Sequence, residues 1–251
     1  MRMRDFCKYQ NNYYIIKPFT IDNTDTRVRE DGFSVTVDNE GRPSLNIHVS
    51  LISLEYLKKG YVISSLRKEM KTNKVAPHLC RKTIAAYSLQ PGLRKVLTLS
   101  IKRTAVGYNY YYATCEEIML TQNYAFRDKT IDTRFYYVFN KILTQFPNIS
   151  NERVVDYLMC CYSLVFSKFL HLNMVEYVKG NKLSHNEEYQ KAKFTTPIRQ
   201  SESLFNQFIL LQYLWQYYKK MGIRKPLTTE LFSNDDIKTV EKERMKILSL
   251  K

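Results

Sequence analysis

Basic doublets punctuate the chain: Lys58-Lys59, Arg67-Lys68, Arg81-Lys82, Arg94-Lys95, Lys102-Arg103, Lys219-Lys220 and Arg224-Lys225, with single lysines at Lys71, Lys74, Lys191 and Lys193. Such side chains capture polyanions by displacing their counterions. Tyr108, Tyr110, Tyr111 and Tyr112 add flat faces on which bases stack with little regard to sequence. Each feature also has a plainer reading: doublets decorate solvated faces, and alternate tyrosines in a strand pack on their neighbours. The whole-chain balance favours a polyanionic partner. There are 39 Lys and Arg against 24 Asp and Glu, a formal charge of +15, and 20 tyrosines beside 13 phenylalanines. Nucleic acid is therefore the expected partner. The five cysteines (Cys7, Cys80, Cys115, Cys160, Cys161) are odd in number and form no C-x-x-C pair, so neither a disulfide framework nor a zinc site is signalled.

Positioning these groups takes a folded core. A chain of 251 residues with 44% hydrophobic content can bury one sizeable core or two modest ones. Seven Gly and seven Pro with no rich stretch leave no linker, so a single domain over 1–251 is expected. Phe33, Val35 and Val37 alternate with polar residues, Asp38-Asn39-Glu40-Gly41 supplies a turn, and Leu45, Ile47, Val49 and Leu51 alternate again, which is a β-hairpin. Val96 to Ile101 and Tyr110 to Ala113 read as further strands, with short helices between them. From there the period becomes helical. Phe135, Val138, Phe139, Ile142 and Leu143 precede Pro147, and Ser150 caps a helix carrying Val154, Leu158, Cys161, Val165 and Phe169. A third helix runs from Ser201 past Trp215 to Gly222, and a fourth begins near Ser233 with Asp235 and Asp236 in its first turn, giving a helical extension over 223–251. The expected fold class is α+β, a mixed β-sheet N-terminal half packed with the helices of the C-terminal half. No run reaches the roughly 18 apolar residues of a membrane helix, and the N-terminus lacks the apolar stretch of a signal peptide. No membrane contact and an intracellular, cytoplasmic location are expected, with an organelle as the alternative.

Two distant motifs carry a resemblance. Phe194-Thr195-Thr196-Pro197-Ile198-Arg199 ahead of a helix is similar to the F-T-S-P-I-R-R-Y-x-D-L signature of the RNase II/RNase R (RNB) ribonuclease family. Phe19-Thr20-Ile21-Asp22, then Glu30-Asp31 and Phe33-Ser34-Val35, follow in register that family's acidic loop, F-T-I-D…D-x-D-D-A-x-S-V. Between them, Ile47-His48-Val49 with Ile52-Ser53 resembles V-H-I-A-D-V-S, Tyr87 to Gly92 resembles C-S-L-N-P-G, Cys115-Glu116-Glu117-Ile118 resembles T-Y-E-E-V, and Val155 to Met159 resembles E-E-F-M-L. The likeness covers about residues 15–215. It implies an RNB-like core acting on single-stranded RNA. Asp22, Glu30 and Asp31 would hold Mg²⁺, whose preference for hard oxygen ligands explains the need for such a cluster. Arg199 would hold phosphate oxygens and stabilise the charge that develops in hydrolysis. Lys191, Lys193, Tyr110 and Tyr112 are the accompanying candidates for RNA contact.

The motifs are damaged. Val28 stands where an Asp is expected and cannot ligate a metal, Glu30 replaces an Asp, and Leu51 replaces the Asp of the H-I-A-D strand. Gln200-Ser201-Glu202-Ser203 follows Arg199 where the family has R-Y-x-D. Asp25 is nearby but out of register, with a solvated turn as its expected role. A shift of a reacting group by on the order of 1 Å can cost about a hundredfold in rate. The cold-shock barrels and S1 barrel usual to the family have no counterpart in this sequence. Three readings follow: an RNA-binding pseudonuclease, an active Mg²⁺-dependent 3′–5′ exoribonuclease that uses Arg199, Glu30 and Asp31, and a structural subunit that binds a protein partner within a ribonucleoprotein assembly.

Overall fold

A computed structural model describes residues 15–62, 64, 80–104, 107, 109–143, 150–179, 182–183, 191–220 and 229–249. Several sequence candidates lie outside them: Cys7, Arg67, Lys68, Lys71, Lys74, Tyr108, Pro147, Gly222, Arg224 and Lys225, together with the side chains of Trp215, Lys219, Lys220 and Asp235.

The strands are β1 (Ile16–Asp22), β2 (Asp31–Val37), β3 (Pro43–Ser50), β4 (Gly92–Arg103), β5 (Asn109–Leu120), β6 (Gln122–Ala125), β7 (Val178–Lys179), β8 (Lys182–Leu183) and β9 (Thr229–Glu230). Seven of them form one mixed sheet in the order β6-β1-β2-β3-β4-β5-β9, and β7 pairs with β8 in a separate hairpin. The centre of the sheet is an antiparallel meander, and β6 adds to β1 in parallel. The helices are α1 (Ser53–Lys58), α2 (Arg81–Tyr87), α3 (Thr133–Ile142), α4 (Asn151–Leu172), α5 (Ser201–Lys220) and α6 (Asn234–Ser249). The architecture is α+β, in keeping with the sequence patterning.

Local chemistry explains the elements that were legible. The hairpin turns because the Asp38 carboxylate accepts from the backbone N–H of Glu40 and Arg42, with Gly41 at φ 76°. Ser150 caps α4 by accepting from Arg153 N at 3.4 Å, and Ser233 does the same for α6 from Asp236 N at 3.3 Å. Phe33, Val35, Leu45, Ile47, Leu97 and Leu99 point from the sheet into a core completed by Phe135, Phe139, Leu158 and Val165 of α3 and α4. The opposite face carries a smaller cluster of Leu89, Val96, Ile118 and Leu120, beside a buried polar row of Ser34, Asn46, His48 and Thr98.

The structure extends or corrects the sequence expectations in four places. β5 continues to Leu120, well past Ala113, with Glu116 and Glu117 left partly exposed and Lys95, opposite Glu117, bridging it at 3.5 Å. β1, expected only as part of the acidic motif, is a full strand with an irregular register between Ile16 and Phe19. β9 adds to β5, and Ile237, Val240 and Arg244 of α6 are buried, so residues 229–249 join the sheet and core. Finally, α4 is long and apolar enough to cross a membrane by length and composition, but 78% of that stretch is buried inside the protein, which makes it a core helix.

Candidate functional site

The end of β1 and the start of β2 bring the acidic motif to one edge of the core. Asp22 closes β1, and its carbonyl accepts from Phe126 N. The connection returns through residues whose backbone is clamped. Arg29 N donates to Ser88 Oγ at 3.1 Å, Arg29 O accepts from Leu89 N, and Glu30 O accepts from Ser50 N, both at 2.8 Å. Asp25 lies in an exposed turn. Val28 packs against the hydrophobic core and Leu51 is 3% exposed within it, so both positions where acids were expected now contribute apolar packing.

The second motif arrives from the far end of the sequence. Phe194 is fully buried against Phe166, and Thr196 O accepts from Gln200 N, turning the chain into α5. Gln207 locks α5 to the end of β3 and the start of α1, donating to Ser50 O at 2.9 Å while its Oε1 accepts from Ser53. Arg199 is thereby delivered to Glu30. Glu30 Oε1 accepts from Ile198 N at 2.5 Å and Arg199 N at 3.2 Å, and Glu30 Oε2 accepts from Arg199 Nε. The Glu30 side chain has no exposure, whereas that of Arg199 is 52% exposed.

Asp22, Glu30, Asp31 and Arg199 are therefore brought together, as the two motifs require. Burial pushes the Asp22 carboxyl up to about 6, against the pull of Arg29 and Arg199. Burial also raises Glu30, against its bonds to Arg199 and the backbone. Asp31 is pushed well above the carboxylate range by burial and by the charges of Asp22 and Glu30. Arg29, absent from the sequence candidates, is the missed member: its Nε lies 3.5 Å from Asp22 Oδ2 and its guanidinium donates to Gln90 Oε1 at 3.2 Å. Its place between Val28 and Glu30, inside the acidic motif, was the available signal.

The Mg²⁺ expectation meets a donor set that does not suit it. Both Glu30 oxygens already accept N–H groups, Asp22 faces a guanidinium, and no group of three potential ligands is arranged to hold a metal among the described residues.

Lys191 and Lys193 immediately precede the same Thr-Pro-Ile-Arg segment in the chain. With Lys179, Thr195, Thr196, Gln200 and Glu202, which accepts from Lys193 N at 3.0 Å, they line an open cavity of about 760 Å³ together with Met159, Cys160 and Ser163 of α4. Lys191 Nζ lies 2.9 Å from Cys160 Sγ. Asn206 fixes the arrangement, bonding Val178 N and O at 2.7 Å and Lys193 O at 3.1 Å, so one α5 side chain registers the strand of Lys179 and the segment of Lys193. Lys179 was also missed; a two-residue strand leaves no periodic trace.

Tyr110 and Tyr112 are not brought to this site. They occupy the far end of β5, with β3 and β4 between that strand and Asp31. The central doublets serve local structure: Arg94 donates to the carbonyls of Gln90, Pro91 and Leu93, Lys102 pairs with Asp38, and Arg103 donates to Lys141 O.

An acidic loop meets a helix-leading arginine on a mixed sheet, the arrangement that the resemblance to RNB ribonucleases implied. No family model matches the sequence, and no curated protein matches it either. Solved structures do match the fold. RNase R of Mycoplasma genitalium, in its apo form and in complex with ribose methylated single-stranded RNA, matches at TM-score 0.55 and 12% identity, over 91% of this chain and 53% of that one. An active-site mutant of the Dss1 exoribonuclease of Candida glabrata matches at TM-score 0.50 and 12% identity, over 94% of this chain and 44% of that one. The chain spans about half the length of the structures it matches. At this identity the likeness establishes the fold, which agrees with the resemblance read from the motifs.

Proposed function

We propose that this chain binds single-stranded RNA beside Arg199 and does not hydrolyse it. The observation that carries the reading is the cavity bearing Lys179, Lys191 and Lys193, lined also by Thr195, Thr196 and Gln200 of the segment that carries Arg199. Three ammonium groups outnumber the single Glu202 carboxylate there, and with the neighbouring Thr and Gln side chains they suit a phosphate backbone without reading bases. Arg199, fixed through Nε and half exposed, directs the outer edge of a planar donor toward such a phosphate. The charge of +15 raises the local concentration of any polyanion around the whole molecule. Hydrolysis is lost in this reading because two acid positions have become core packing and Glu30 is committed to Arg199.

The test is to incubate the purified protein with 5′-labelled single-stranded RNA in Mg²⁺ or Mn²⁺, beside an Asp31→Asn control, recording binding and product length on the same samples. Binding with intact RNA is expected. A ladder of 3′-shortened products that disappears in the control would replace this reading with an active Mg²⁺-dependent 3′–5′ exoribonuclease. Neither binding nor shortening would leave a structural subunit that engages a protein partner.

A further inference from the structure

The acid cluster raises a charge problem that the proposed function leaves open: three carboxylates converge in a site where Asp22 is 13% and Glu30 0% exposed at the side chain. We propose that the resident cations of this site are the guanidinium groups of Arg29 and Arg199, and that the cluster binds no divalent metal. This rests on reading the cluster as the counterpart of a nuclease centre, and not on RNA binding.

Geometry carries the argument. A divalent cation requires carboxylate lone pairs directed at one point. Here those of Glu30 are directed elsewhere, Oε1 to the backbone N–H of Ile198 and Arg199 and Oε2 to Arg199 Nε. Asp22 Oδ2 and Arg29 Nε are both buried, have no hydrogen-bond partner, and face one another at 3.5 Å. Each is the other's counter-charge. Arg29 is held in that place by Gln90 Oε1 on its guanidinium and by Ser88 and Leu89 on its backbone. The replacements at Val28 and Leu51 fit the same balance. With two acid positions made apolar, two guanidinium charges face three carboxylates, where a full acid set would need the higher charge density of metal ions.

The two arginines also differ in what they join. Arg29 neutralises Asp22 within the acidic loop, while Arg199 bridges that loop to the start of α5. The site thereby becomes a clasp between distant parts of the chain.

The experiment uses Mn²⁺ as the probe on the full chain, after chelation and buffer exchange. The spin-resonance signal of free Mn²⁺ is titrated against the protein, and melting temperature is followed with and without the ion. The wild-type protein is expected to take up no Mn²⁺ and to melt unchanged. Arg29→Ser removes the charge facing Asp22 and is expected to melt a few degrees higher with Mn²⁺ than without it. Stoichiometric Mn²⁺ uptake by the wild-type protein that Asp22→Asn abolishes would overturn the proposal, as would a folded Arg29→Ser protein indifferent to the ion. If Arg29→Ser does not fold, the wild-type titration decides alone. RNA binding is scored separately in chelator: its absence beside a flat Mn²⁺ titration sinks the RNA reading only, and RNA binding beside Mn²⁺ uptake sinks this proposal only.

Discussion

Glu30 and Arg199, 169 residues apart in sequence, are joined through both the backbone and the guanidinium of the arginine, and the carboxylate between them is fully buried. Arg199→Ala is therefore expected to leave Glu30 with only its backbone donors. A charged hydrogen bond is worth about 1.5–3 kcal/mol, and a loss at the low end of that range is expected because Arg199 is half exposed. Urea unfolding of the variant beside the wild type reads it, and an unchanged midpoint would show that the pair does not hold the two motifs together.

Restoring a motif acid should harm the fold. Leu51 is 3% exposed in the core, so Leu51→Asp both opens a cavity and buries an unpaired carboxyl, a loss of about 3 kcal/mol or more. Its melting temperature is expected to fall sharply, with no gain of cleavage in Mg²⁺. A variant that cleaves RNA would show that the missing acid alone had silenced the site.

Lysines in the cavity should act through charge. The double change Lys191→Glu with Lys193→Glu is expected to weaken single-stranded RNA binding about tenfold or more and to lower its salt slope by roughly one for each phosphate no longer neutralised. Fluorescence anisotropy at several ionic strengths gives both numbers. Tyr112→Ala is the comparison, since that residue lies across the sheet from the acid cluster; an equal loss there would move the RNA path toward the tyrosines.

His48 sets a pH dependence. It is buried between Ser34 Oγ and Thr98 Oγ1, each at 2.8 Å, and burial lowers its pKa to about 3. Below an ordinary value of about 6.5 the unfolded chain takes up a proton that the folded imidazole refuses, so stability is present above pH 6.5 and is lost as pH falls toward 3. The slope from this group is about 1.4 kcal/mol per pH unit across that interval. Denaturation of His48→Gln at stepped pH should show a shallower acid decline, and identical slopes would assign the loss to other groups.

Arg244 ties α6 to the core. It is 5% exposed and donates to Tyr157 OH at 2.8 Å, to Leu143 O and to Glu241. Truncation to Ala leaves the Glu241 carboxylate with Tyr111 OH and Asn109 as its donors and takes the donor from Leu143 O, and is expected to cost about 2–3 kcal/mol. Faster hydrogen exchange in α6, β9 and the facing part of β5 would locate the damage.

The sequence by itself determined what rests on local physics. Alternation over Phe33–Val37 and Leu45–Val49 required a hairpin, helical spacing after the cap Ser150 required α4, Asp235 and Asp236 in a first turn marked the start of α6 near Ser233, and two motifs kept in register marked an RNB-like core. It could not place β9, whose two residues carry no period, or extend β5 through Glu116-Glu117, whose charges stay partly exposed to solvent with Lys95 opposite Glu117. Tertiary structure alone decided which charges meet. Arg29 turns to Asp22, Arg199 closes on Glu30, and Lys179 joins Lys191 and Lys193 because strand register and the hydrogen bonds of Asn206 and Gln207 set those distances. Such pairings depend on packing between distant segments, and no local pattern encodes them.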